Sequence, residues 1–186
     1  MKKDTLMPPI VLTAVCVIVS ALLVAAYNLT YVDTTGVMTE QLSAGCEEVF
    51  GAGEYEILLE KDTDKKTPVT FGEEGILAVI TDGKEKCLIE LEQDGYAKNG
   101  LHLLIGIGPD GKIKGISFLS IGETPGVGTK VQQDAFLSQL IGYGIDSDDA
   151  SIDGVTAATF SSKGMKTACR KAVKLYAEHK EAIFGE

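Results

Sequence analysis

The chain has 186 residues and little of what metal centres, disulfide scaffolds or nucleic-acid binders require. Its four cysteines, Cys16, Cys46, Cys87 and Cys169, stand far apart. No CxxC spacing occurs, and neither histidine, His102 or His179, joins a Cys/His pattern. This argues against a metal site. Basic residues are also scarce, 17 Lys and Arg against 27 Asp and Glu for a net charge of −10, which argues against nucleic acid and anionic lipid heads as partners. Lys and Arg are missing altogether between Asn28 and Glu60. No internal repeat or low-complexity tract is present, so solenoids and disordered tails are set aside.

What is there begins with one apolar run, Ile10 to Tyr27, 18 consecutive residues without a charge. A helix that spans the hydrocarbon layer needs roughly 17–25 such residues. A cleaved signal peptide is the competing reading, with Val24 and Ala26 at the −3 and −1 positions, but signal cores usually run about 7–15 residues. The length favours an uncleaved anchor. Lys2 and Lys3 precede the run, and the next stretch lacks basic residues, so the positive-inside bias puts residues 1–9 in the cytoplasm, residues 10–27 in the membrane and residues 28–186 outside as one domain. Three of the cysteines fall in that outer domain, an odd number that cannot all pair within the chain.

Beyond the run, Val37, Met38, Leu42, Cys46 and Phe50 recur at three- to four-residue spacing and predict a short amphipathic helix. Strands are expected at Glu54–Leu59 and Ile76–Thr81 around a charged turn, Asp62–Thr67, and another at Cys87–Glu92. Leu101–Gly108 and Lys112–Ser120 flank Pro109-Asp110-Gly111, the strongest hairpin signal in the chain. Gln132–Ile141 reads as a helix, and Asp146–Asp153 as an acidic connection. From Ser162 to Phe184, the residues Met165, Cys169, Ala172, Val173 and Tyr176 mark one face of a final helix. The fold class is therefore α+β: one N-terminal transmembrane helix, then a single domain with a mostly antiparallel sheet packed against helices.

Two segments carry chemistry. The first is Asp153-Gly-Val-Thr156-Ala-Ala158-Thr159-Phe-Ser161-Ser162, four hydroxyls in seven residues directly before the last helix. Taken alone it is a capping region. Small neighbours at a helix N-terminus also make an anion site, where N–H groups and the macrodipole favour a phosphate, and Lys163 and Lys166 in the first turn suit a bound anion. The second is Gly122-Glu123-Thr124-Pro125-Gly126-Val127-Gly128-Thr129-Lys130, at the end of the second hairpin strand. Alone it is an ordinary turn, but glycines without a Cβ let backbone and ligand approach closely.

In this order, behind this anchor and with the Gly95-Tyr96 pair and the hairpin Ile105–Gly115, the segments resemble the FMN-binding domain family of the G subunit of Rnf electron-transport complexes and the C subunit of sodium-pumping quinone reductases. In that family the hydroxyl-rich turn reads Asp-x-x-Ser-Gly-Ala-Thr, matched here by Asp153, Thr156, Ala158 and Thr159, with Ala157 in place of the usual glycine. Should that position need positive φ, alanine costs about 1–2 kcal/mol.

The resemblance implies FMN joined by a phosphoester to Thr159 through a separate flavin transferase. It also implies a polar surround from Thr156, Ala158, Ser161, Ser162, Glu123, Thr124, Gly126 and Gly128, and no catalytic side chain beyond the cofactor. Apolar residues of Leu103–Ile107 and Phe118–Ile121 are expected to wall the ring, with Glu123 and Thr124 bonding its polar edges. Both histidines are expected to be structural. The implied role is electron relay within a membrane complex of iron–sulfur and flavin subunits that passes electrons between ferredoxin and NAD and moves Na+ or H+. Two other classes stay open: a stand-alone tethered flavoprotein feeding a reductase, and a non-redox anchored binding module.

Overall fold

The computed structural model describes residues 3–31, 36–60 and 66–185, with side chains from Pro8 onward in the first stretch. The chain divides into two units, Met1–Thr34 and Thr35–Glu186. The first is a single helix, α1 (Lys3–Thr30), three residues longer at its C-terminal end than the apolar run. Its stretch Pro8–Thr30, 23 residues with none buried, is long and apolar enough to cross a membrane. At 1.5 Å per residue that is about 35 Å, against a hydrocarbon core of about 30 Å.

The second unit is α+β. Its five strands, β1 (Glu56–Ile57), β2 (Ile76–Thr81), β3 (Cys87–Gln93), β4 (Leu101–Ile107) and β5 (Ile113–Ile121), lie side by side in chain order, all antiparallel. The helices are α2 (Glu40–Phe50), α3 (Asp134–Leu140) and α4 (Thr159–Phe184), with 3-10 turns at Gly128–Gln132 and Asp149–Ser151. Strand alternation splits the apolar residues between two layers. Cys87, Ile89 and Leu91 of β3 and Leu101, Leu103, Ile105 and Ile107 of β4 pack with Met165, Cys169, Ala172 and Tyr176 of α4. Leu88 and Leu104 face the other way, onto Leu42 and Cys46 of α2. Register shifts at Ile76/Ala78 in β2 and twice in β5 reset the parity, which is how Ile76 and Val79 both reach the α4 side.

Two glycines explain how close α2 lies. Gly106 and Gly115 pair across the β4–β5 ladder, and a Cβ on either would meet Val49 Cγ1, at 2.2 and 3.0 Å respectively. The hairpin turn closes as its sequence predicts, with Gly111 at φ +71°.

Several elements differ from their sequence reading, among them α3, which runs Asp134–Leu140 rather than Gln132–Ile141 because Gln132 belongs to the preceding 3-10 turn. The edge strand shrinks to Glu56–Ile57 because the chain changes partner, Leu58–Glu60 bonding back to Thr67–Val69. Helix α2 starts at Glu40 rather than Val37, behind a Thr39 cap. Helix α4 starts three residues early, at Thr159, so the hydroxyl-rich turn runs into the helix itself. The first four residues of the expected charged turn lie outside the described residues.

Cys46, Cys87 and Cys169 are buried and unpaired, and burial pushes their thiols up to about 11, 12 and 12. His102 pairs with Glu90 at 2.8 Å, and His179 stacks on Phe71 with ring centroids 4.1 Å apart.

Candidate functional site

The end of the sheet opposite the Pro109 turn gathers three connections: the turn after β3, the loop after β5 and the approach to α4. What joins them is Glu123. The carboxylate is buried, and it accepts hydrogen bonds from the backbone N–H groups of Tyr96 (3.0 Å) and Ala97 (3.2 Å) and from the Ser161 hydroxyl (2.6 Å). Gly95, Gly100 and Gly128 surround it. A Cβ on any of the three would lie 2.3, 2.4 or 2.7 Å from a Glu123 carboxylate oxygen. The glycines thus make the space in which one charged group, fully hydrogen-bonded, can be buried at tolerable cost.

Helix α4 begins irregularly. Ala157 stands at φ +67°, where a glycine is expected, and the strain at the departure noted in the sequence is therefore real. Ala158 takes the cap position, but no side chain caps the helix. The first backbone bond closing onto the helix is Ser162 N–H to the Ala158 carbonyl at 2.9 Å. The N–H groups of Thr159, Phe160 and Ser161 have no hydrogen-bond partner among the described residues, and the positive end of a 26-residue helix lies behind them.

In front of this helix start lies a cavity of about 350 Å³ lined by Tyr96, Glu123, Thr124, Val127, Gly128 and Ala157 to Ser161. Small-molecule sites run from roughly 300 Å³ upward. The cavity sorts the hydroxyls of the motif. Ser162 is buried, accepts from Val155 N–H and donates to the Ala158 carbonyl, both at 2.9 Å, so its hydroxyl ties the approach loop to the helix. Ser161 is buried against Glu123. Thr156 is exposed but not part of the lining. Thr159 is exposed, in the first helical turn, and lines the cavity.

On the loop side, Thr124 and Gly128 contribute lining, whereas Gly126 (φ +72°) lies outside it and sets the turn, its N–H donating to Thr129 Oγ1 at 2.9 Å. Lys166 does not serve an anion: its ammonium is bonded to the Asp149 and Ile152 carbonyls. The β4 residues do not wall the cavity either, since Leu103, Leu104, Ile105 and Ile107 are fully buried between the two helical layers. The apolar lining comes instead from Tyr96, Val127 and Phe160, all exposed. Phase along α4 was the available signal for Phe160, because the buried positions 161, 162, 165, 168 and 169 leave 160 facing out. Glu123, expected at a cofactor's polar edge, has its oxygens turned into the protein.

A helix start with unengaged N–H groups, an exposed alcohol beside it and exposed aromatic surface across the gap fit a ligand with a phosphate at one end and a flat ring system at the other. The class follows: residues 95–174, the stretch that builds this site, match the model of the FMN-binding domain family. The relatives are more particular. The chain is 29% identical over 102 residues to the G subunit of the ion-translocating oxidoreductase complex of Aliivibrio fischeri, covering 48% of each chain. It is 28% identical over 125 residues to the G subunit of the proton-translocating ferredoxin:NAD(+) oxidoreductase complex of Clostridium ljungdahlii, covering 63% of this chain and 67% of that one. It is also 28% identical over 105 residues to the G subunit of the ion-translocating oxidoreductase complex of Shewanella oneidensis, covering 50% and 49%. The matches thus span about half the length of the Aliivibrio and Shewanella relatives.

Proposed function

We propose that this chain is the electron-carrying subunit of a membrane redox complex of the Rnf type, holding FMN through a phosphoester on Thr159. The observation that carries the reading is the sorting of hydroxyls. Thr159 alone combines exposure, a place in the cavity lining and a position in the first turn of an uncapped helix. Its neighbours' N–H groups and the helix dipole would stabilise the remaining phosphodiester charge. Bound FMN supplies the redox chemistry, taking and releasing electrons singly or in pairs. The chain's own residues position it: Glu123 fixes the spacing of the walls, and Thr124 and Gly128 close the far side.

The apolar helix and the relatives, subunits of ion- and proton-translocating oxidoreductase complexes, support a tethered domain working within such a complex; its iron–sulfur and flavin partners and its coupling to Na+ or H+ movement belong to the proposal. The positive-inside bias of Lys2 and Lys3 supports a domain outside the cytoplasm, where a tether would keep a cofactor that could not be replaced. Attachment there falls to a separate flavin transferase. The test is co-expression with such a transferase. Parent chain and Thr124→Ala should run as fluorescent bands on a denaturing gel, and Thr159→Ala should not. A fluorescent Thr159→Ala band would contradict the reading.

A further inference from the structure

We propose that Tyr96 and Phe160 form the seat of the flavin ring system, with Tyr96 the residue that quenches its emission; this rests on the assignment of FMN to Thr159. The two side chains line the cavity and meet edge to face, ring centroids 6.2 Å apart and planes inclined by 62°, so that together they form an angled apolar surface. They are 72% and 63% exposed, far more than a domain with this core otherwise leaves its aromatic rings. Each ring offers about 150–250 Å² of surface whose cover by a flat aromatic ligand is favourable.

Their placement is specified by the fold. Tyr96 comes from the turn after β3 and Phe160 from the first turn of α4, next to the proposed attachment point. One buried group fixes both. Glu123 accepts from the backbone N–H of Tyr96 and from the hydroxyl of Ser161, the residue after Phe160. The placement of the pair is therefore set by a carboxylate locked among glycines, with Val127, Ala157 and Ala158 as the other apolar residues of the lining. A ring carried on a phosphate at Thr159 would be delivered against the exposed surface of this pair. The chain has no tryptophan, which leaves a tyrosine as the electron-rich ring of the site.

The experiment uses the full chain in detergent, made with its transferase, with loading at Thr159 measured first by peptide mass. Tyr96→Leu, Tyr96→Phe and Phe160→Leu replace exposed side chains, so folding and loading should match the parent. Parent emission should be lower than that of an equal amount of free FMN. Tyr96→Leu should raise emission several-fold and shift the visible bands. Tyr96→Phe should raise emission but keep the bands in place, because phenylalanine preserves the apolar seat and does not quench. Phe160→Leu should shift the bands. Loaded Tyr96→Leu and Phe160→Leu variants with parental emission and bands would overturn the seat, and would leave the two rings to a partner protein. Absence of flavin from Thr159 in the parent would instead overturn the attachment itself, and this inference with it.

Discussion

Helices α2 and α4 pack on opposite faces of the same sheet, yet their starts are built by opposite rules. At α2, Thr39 has an extended backbone, its hydroxyl accepts from Leu42 N–H at 3.2 Å and its carbonyl from Ser43 N–H at 2.9 Å. That terminus is capped by its own side chain. At α4 the cap is an alanine, the residue before it is strained, and a buried carboxylate braces the first turn. The chain leaves donors unengaged where it would have been simple to engage them, beside the cavity. Broken local rules concentrated at one place are what a ligand site looks like before its ligand.

The largest stability effect expected is at the brace. Glu123→Ala strands the Tyr96 and Ala97 N–H groups and the Ser161 hydroxyl, each unsatisfied buried donor costing about 1–3 kcal/mol. A loss of about 3 kcal/mol or more should appear as a melting temperature lower by on the order of 10 °C. A variant that melts like the parent would remove Glu123 from its central place. Next come the two helix starts, compared directly. Ala157→Gly relieves the positive φ and should raise stability by about 1 kcal/mol. Thr39→Ala should lower it by about 1 kcal/mol. Equal signs in urea midpoints would end the contrast between the termini.

Asp82, in the turn between β2 and β3, belongs with Thr39 among the completed turns. Its carboxylate accepts from the N–H groups of Lys84, Glu85 and Lys86 at 2.9, 3.0 and 3.0 Å. Burial pushes the carboxyl up, but these hydrogen bonds and the Lys86 charge outweigh it and hold the group below its ordinary 3.8. Its contribution is thus fully present above the unfolded value and fades as pH falls through the lower folded value. Asp82→Ala should be less stable than the parent near neutrality by about 1 kcal/mol, with the gap closing below about pH 4. A gap that persists in acid would show that the charge is not what matters. Smallest is the effect on thiols: with their values raised to about 11, 12 and 12, Cys46, Cys87 and Cys169 should resist alkylation at neutral pH until the domain unfolds.

Much of this was legible in the sequence, and the exceptions share a cause. The α4 stripe, the hairpin around Pro109 and the apolar run announce themselves because their signals are local and periodic. The proposal of attachment at Thr159 rests on a motif, which is local as well. The walls of the cavity were not legible in this way. Leu103 to Ile107 look like a free apolar surface until both layers are in place, and only then are Leu103 and Ile105 committed to α4 and Leu104 to α2. Glu123 does line the cavity, but nothing local shows that Gly95, Gly100 and Gly128, far apart in the chain, close around its carboxylate. Long-range packing decided both.

The central claim is tested most directly by mass spectrometry of the chain made with a flavin transferase. Cleavage after lysine and arginine yields the fragment from Val131 to Lys163, which holds Thr156, Thr159, Ser161 and Ser162 together. Backbone fragmentation should place one added group, FMN less a water, on Thr159. An unmodified fragment, or the added mass on any of the other three hydroxyls, would contradict the account.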